Sequence, residues 1–437
     1  MKTALMLTLV LLLVASSLMA TDTRVFTMGD NNGILLDDAN IWLYPSRINF
    51  YPDLANIELA GSGEYRIPLG PVEYRYNQGI SRIGVNMKFN DDNPYVIGIY
   101  LHNQDGYYNS FSPVGIPGHG SVYDDDYYDA ESNSNRRGDF FYGRKMGEAN
   151  VGLRVGFTHS SYKNLSATSY NENAFSQMNI DLGMTLKEGL IDIAVGYERF
   201  SFTDMITVNL NQGLGDTTLW GGVDNYKPDG NKKFYIRGRH FHELNSKVTL
   251  VPHVEFSSAK YKSEEYDWTA APAPDSGYYN RLDQTSETTV KDFTFGGGLH
   301  YMPASKVLTV LDFGLRTTKI EQDHLNIDED TTNTSWKWTS LPYFKLGFEA
   351  SVFRWLDVRF GAESYWTKYT YEQMPSASKA TWKYPDNREY LGFGFNWGNF
   401  HVDTYANPQL FTNGFQFISG NSTEEMNFSI SAVYEMN

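Results

Sequence analysis

Residues 346–363 read LGFEASVFRWLDVRFGAE. Apolar side chains occupy every second position, first Leu346, Phe348, Ala350 and Val352, then Leu356, Val358, Phe360 and Ala362. Gly347, Glu349, Ser351, Asp357, Arg359, Gly361 and Glu363 fall between them. A period of two sends alternate side chains to opposite faces, so each half is predicted to be a strand with one apolar and one polar face. The break, Phe353-Arg354-Trp355, has the length of a hairpin turn. In a soluble barrel the apolar face would line the core; in a membrane barrel it would meet lipid.

The same period recurs from residue 80 to the end of the chain. Ile83, Val85, Met87 and Phe89 alternate with Arg82, Gly84, Asn86 and Lys88. Val151, Leu153, Val155 and Phe157 flank Gly152, Arg154 and Gly156, and Ile191, Ile193, Val195 and Tyr197 flank Asp192, Ala194 and Gly196, with Glu198 next. Further cases are 248–257, 311–316, 391–397 and 426–435. The connections come in two kinds that alternate strictly. Tight ones include Gly147-Glu148-Ala149, Lys187-Glu188-Gly189 and Pro303-Ala304-Ser305; long polar ones cover roughly residues 103–136, 162–173, 204–231, 262–284, 321–334, 371–386 and 406–424. Residues 139–146 are a weak strand by pattern, but the parity of the turns requires one there. Short turns at one end and long loops at the other predict an all-β, antiparallel transmembrane barrel of about 14–16 strands, with short periplasmic turns and long extracellular loops.

A lumen of that size is too wide for side chains to fill. The polar set is rich in Gly and in paired charges, which suits a wet interior. The apolar set is nearly free of charge, as a lipid face should be when one Lys or Arg at the midplane costs about 2–4 kcal/mol. The predicted lumen-lining residues are therefore Arg82, Lys88, Arg154, Asp192, Glu198, Glu255, Asp312, Arg316, Lys345, Glu349, Asp357, Arg359 and Glu363. Their signs are mixed, so ionic selectivity is expected to be weak. Aromatics near strand ends, Trp336, Trp338, Trp355, Tyr365, Trp366, Trp397 and Tyr301, are expected at the lipid–headgroup interface.

Composition narrows the class. Residues 1–20 have a Lys, an apolar run and small residues before Ala20, the layout of a secretory signal peptide. The chain contains no Cys, which removes disulfides and thiolate metal sites, and no cofactor is expected. A net charge of -16 argues against nucleic acid as a partner. The expected location is the bacterial outer membrane. The expected partners are its lipid, the barrel assembly machinery and a small or hydrophobic solute.

Residues 28–48 break the pattern. Met28-Gly29, then Leu36-Asp37-Asp38-Ala39-Asn40, then Tyr44-Pro45-Ser46 resembles the start of the long-chain fatty acid transporter (FadL-type) family. Tyr44 and Ser46 depart from the family's Asn and Ala. The resemblance implies a 14-stranded barrel, an N-terminal hatch in the lumen and uptake of hydrophobic molecules, with Asp37, Asp38, Asn40 and Pro45 in the hatch. Three segments are thus expected: residues 1–20 as signal, 21–56 as hatch or periplasmic lead-in, and 57–437 as barrel.

Catalytic and metal constellations are weak. Asp124-Asp125-Asp126 and Asp328-Glu329-Asp330 lack the spacing of a calcium loop and read as solvated surface. His159 and Ser160 are adjacent on a strand and point to opposite faces, and His240 and His242 have no third ligand. The expected function is not enzymatic. It is passive passage of small or hydrophobic solutes through the lumen; the alternative is a structural or adhesive role for the long acidic loops.

Overall fold

In the computed structural model, the described residues are 22–29, 31–60, 64–69, 72–77, 81–103, 136–165, 169–209, 219–226, 231–270, 278–326, 331–374, 378–406 and 428–436. The expected signal peptide and the acidic runs at 124–126 and 328–330 lie outside them.

The strands form one closed antiparallel ring. β1 (Leu54–Ala60) pairs on one side with β4 (Ser81–Phe89) and on the other with β20 (Phe428–Glu435), which closes the barrel. From β4 the chain runs through β5 (Tyr95–Asn103), β6 (Arg136–Met146), β7 (Ala149–Leu165), β8 (Ser169–Leu186) and β9 (Ile191–Asn209). Next come β10 (Leu219–Tyr226), β11 (Lys232–His240) and β12 (His242–Asn245). They follow one another along a single stave beside β13 (Val248–Ala270). Then follow β14 (Tyr278–Ala304), β15 (Val307–Asn326), β16 (Thr331–Phe353), β17 (Leu356–Met374), β18 (Ser378–Trp397) and β19 (Phe400–Ala406). The result is a barrel of 16 staves, two more than the family resemblance implied. A separate hairpin, β2 (Glu64–Leu69) with β3 (Val72–Asn77), lies between β1 and β4 in sequence.

The faces are now assigned. In residues 346–363 the polar set points in: Gly347, Asp357, Arg359, Gly361 and Glu363 are buried. Phe348, Val352 and Phe360 on the apolar set are exposed. Large apolar side chains are likewise exposed around the whole ring, for example Ile57, Ile83, Leu101, Phe157, Leu182, Ile236, Phe295, Phe313 and Ile430. Exposed apolar belts and buried charge invert the order of a soluble protein, and a lipid bilayer is the solvent in which that order is stable. No helix among the described residues is long and apolar enough to cross a membrane; the strands cross it.

Two findings depart from expectation. First, much of what reads as long polar loop continues the strands. β14 is 27 residues long, where about 9–11 span a bilayer. Beyond the lipid both faces turn polar, so the hydrophobic alternation fades while the hydrogen-bonded ladder continues. Second, β16 carries a bulge. Gly314 and Arg316 of β15 face Tyr343 and Ser340, so β16 has one extra residue at Leu341-Pro342, and β17 sees the same shift. An extra residue reverses which parity faces in. Trp336 and Trp338 therefore look into the barrel and not at lipid. Tyr365 also points inward, while Trp366 beside it points out and is 66% exposed.

Candidate functional site

The residues preceding β1 occupy the lumen. Helix α1 (Asp22–Thr27) leads to two short 3-10 turns, Asp38–Trp42 and Pro45–Phe50. Asp37 caps the first turn: its carboxylate accepts from the Ala39 amide at 3.0 Å, while Asn40 Oδ1 accepts from the Asp37 amide at 3.1 Å. Pro45 opens the second turn, where a missing N–H costs nothing.

This segment is fastened to the wall by buried ion pairs. Arg24 donates to Glu349 from Nε and Nη2 at 2.7 and 2.8 Å, and to Asp37 at 3.1 Å. Glu349 also accepts from Arg359 at 2.5 Å, and Arg359 pairs in turn with Asp403. Across the barrel, Asp192 accepts from Arg47 at 2.7 Å, Arg239 at 2.7 Å and Thr185 at 2.7 Å. Arg239 also donates to Asn40 Oδ1 at 2.7 Å and to the Leu35 carbonyl at 2.8 Å. Burial pushes the Tyr44 phenol up to about 12, so it stays neutral beneath the Arg239 guanidinium, 4.5 Å from its ring centre. Trp42 sits between the guanidiniums of Arg82 and Arg154, each 4.8 Å from its ring centre. Such sandwiches are cation–π contacts made stronger by exclusion of water.

Glycines on the wall make room for this backbone. A Cβ on Gly183 would lie 2.8 Å from the Ser46 nitrogen, and one on Gly347 would lie 2.5 Å from the Met28 carbonyl oxygen. Further contacts complete the circuit: Thr23 with Glu58 and Ser429, Asn86 with the Tyr51 carbonyl, Ser46 with Thr185, and His300 with the Ile34 carbonyl.

The sequence-predicted lumen residues divide by depth. Arg82, Arg154, Asp192, Glu198, Asp312, Asp357, Arg359 and Glu363 are buried on the inward face. Glu349 and Lys345 are nearly so; the Lys345 ammonium is 3.9 Å from Glu363. Glu255 pairs with Arg237 at 3.2 Å and is partly exposed. Arg316 shares the inward face with Asp312 and Thr318 but is exposed. Lys88 lies at the short-turn mouth, paired with Asp91 at 3.2 Å. Asp37, Asp38, Asn40 and Pro45 are all buried in the inserted segment. Among the described residues no group of three or more His, Asp and Glu is arranged to hold a metal ion.

Sequence reasoning missed Arg24, Arg47, Arg239 and Asp403 among these anchors, and it also missed an aromatic wall on β16, β17 and β18. Trp336 and Tyr371 are 6.0 Å apart near its outer end. Next, Tyr369 lies 5.0 Å from both Trp338 and Trp382. Ala259, Val290 and Ile320 extend this cluster across β13, β14 and β15. Deeper, Tyr343 and Tyr365 are 6.2 Å apart. Tyr371, Tyr369 and Tyr365 lie on one face of β17, which places about 20 Å of aromatic surface along the lumen at ~3.3 Å per residue. The next inward positions are Glu363, which accepts from Tyr365 and Tyr390 at 3.0 and 2.5 Å, and then Gly361, which abuts Gly29 of the inserted segment. Among the described residues, the Trp338 indole nitrogen and the Tyr384 hydroxyl are buried here without a hydrogen-bond partner. The signal available in the sequence was Leu341-Pro342 inside a strand, since Pro within a sheet marks an edge or a bulge.

No protein-family model matches the sequence, and no curated protein matches it. Among solved structures, the chain is similar to the toluene transporter TbuX of Ralstonia pickettii, at 9% identity and a TM-score of 0.42, over 96% of this chain and 99% of that one. It is also similar to the toluene transporter TodX of Pseudomonas putida, at 8% identity and a TM-score of 0.39, over 96% and 99%. The ferric citrate transporter FecA follows at 10% identity and a TM-score of 0.37, over 82% of this chain and 66% of that one.

Proposed function

We propose that this protein is an outer-membrane channel for small hydrophobic solutes, entered from the long-loop end and closed at the other end by residues 22–51 acting as a hatch. The observation that carries it is the aromatic wall that ends on the inserted segment. A water-filled general pore has no use for Trp336 and Trp382, which stay partly exposed on its inner surface over the buried Trp338 and Tyr369, because apolar area exposed to water is unfavourable at about 25 cal/mol per Å². An apolar solute regains that energy by covering them. The reading is transport and not catalysis.

The hatch must shift for solute to pass, because its contacts run round the barrel. Its anchors are side-chain ion pairs and close glycine contacts, with no β-pairing to the wall. Such anchors can release without unzipping the barrel. The loop-based adhesive alternative rests mainly on segments outside the described residues.

The test is conductance in planar bilayers and solute uptake into proteoliposomes, for the intact chain and for a variant lacking residues 22–51. The intact barrel should be nearly closed to ions, and the variant should open a large pore. Equal conductance of the two would reduce the segment to a tether and overturn the hatch.

A further inference from the structure

The outer face of the barrel changes character abruptly where it leaves the lipid belt. On successive outward positions Phe293 gives way to Lys291, and Trp366 to Lys368, each within one step. The lysines are in register between strands. Lys291 stands directly opposite Lys319, and Lys319 opposite Lys337. Lys368 stands opposite Lys383, and Lys232 opposite Lys260. Like charges directly opposite on a sheet destabilise it. Glu287 and Glu321 offset part of the row: Glu287 pairs with Lys260 and Lys262, and Glu321 with Lys319 and, at 3.9 Å, Lys291. Lys337, Lys368 and Lys383 are exposed and have no carboxylate in ion-pair range among the described residues. A cationic band on a chain of net charge -16 is not a by-product of composition.

We infer that this band binds the phosphates of the phosphorylated glycolipid that forms the outer leaflet, across β13 to β18. The height argues for a lipid: the lysines lie just beyond Trp366, which is where an interfacial aromatic marks the headgroup layer. The stems can lie along the apolar belt while the ammonium groups reach the phosphates. Two phosphates on one headgroup can each meet two lysines of neighbouring strands, which removes the repulsion built into the register.

The test titrates the detergent-solubilised full chain with diphosphoryl lipid A, with dephosphorylated lipid A and with inorganic pyrophosphate, read by native mass spectrometry and by thermal unfolding. The comparison protein is K337Q/K368Q/K383Q, which alters no lumen residue. Wild type should bind diphosphoryl lipid A at least about tenfold more tightly than the variant, given ~1 kcal/mol per basic residue near a charged lipid surface. Without lipid, the variant should unfold no lower than wild type, because repulsion has been removed. Equal binding by the two proteins, or equal binding of the dephosphorylated lipid, would overturn the inference. Pyrophosphate bound as tightly as the lipid would overturn the lipid assignment. Should the triple variant fail to fold, Lys337→Gln alone must still weaken lipid A binding, and wild-type binding must fall as salt rises; failure of either has the same meaning.

Discussion

The two walls of the lumen differ in what they bury. On β6 to β9, buried charge is held by opposite charge. Asp139 accepts from Arg137 and Arg154 at 2.8 Å each, and Asp181 from Arg154 at 3.2 Å. On β16 to β18, above the inserted segment, the inward face is mostly Trp and Tyr. Both walls are built on the same period-two ladder, so the fold does not choose between them. The charged wall pairs its guanidiniums with its own carboxylates, so the surface it offers a guest is polar. The aromatic wall keeps partly exposed apolar surface, at Trp336 and Trp382, for a guest to cover. The second wall is therefore where solute is expected, while the first stiffens the barrel and anchors the inserted segment.

The comparison can be broken most strongly at the ion pairs below the aromatic wall, at the level of the inserted segment. Arg359→Ala leaves Glu349, Asp357 and Asp403 without their common partner. Stranding buried charge costs about 3–5 kcal/mol, so the variant should unfold at clearly lower urea in detergent. Arg24→Ala strands Asp37 but leaves Arg359 to hold Glu349. Its predicted effect is on closure: frequent channel opening in bilayers, with the barrel still resistant to SDS at room temperature. Gly183→Val should act in the same direction through sterics alone, because a side chain there meets the backbone at Ser46. The smallest effect separates the walls. Trp338→Ala should weaken solute binding roughly fivefold, the equivalent of ~1 kcal/mol for an aromatic contact, and leave ion selectivity unchanged. Arg137→Gln should do the reverse. Fluorescence titration with an apolar aromatic solute and reversal potentials in a salt gradient check the pair.

What could be read in advance follows from period. The alternation in 346–363, 151–158 and 191–198 defined strands, faces and most buried charges, because a lipid exterior forbids charge on one parity. Parity of turns even recovered β6, whose own pattern is weak. The aromatic wall was illegible for one local reason: Leu341-Pro342 adds a residue to β16, and alternation counted through it assigns Trp336 and Trp338 to lipid. The contacts of the inserted segment were illegible for another. Gly183 and Gly347 look like neutral members of a wet lumen until a backbone is seen against them. Trp42 between two arginines, and Arg239 reaching Asn40, join residues far apart in sequence, which no periodicity encodes.

The absence of Cys allows the central claim, that the hatch moves when solute passes, to be tested with introduced cysteines alone. Thr23 and Ser429 meet through their hydroxyls at 2.6 Å, and Ser46 and Thr185 at 2.7 Å, on the inserted segment and the wall. Uptake of an apolar aromatic solute should be measured in proteoliposomes holding a variant with Thr23→Cys, Ser429→Cys, Ser46→Cys and Thr185→Cys, oxidised and then reduced. The account predicts that oxidation abolishes uptake and reduction restores it. Uptake that continues unchanged with both bridges formed would contradict it, and would place the route outside the hatch.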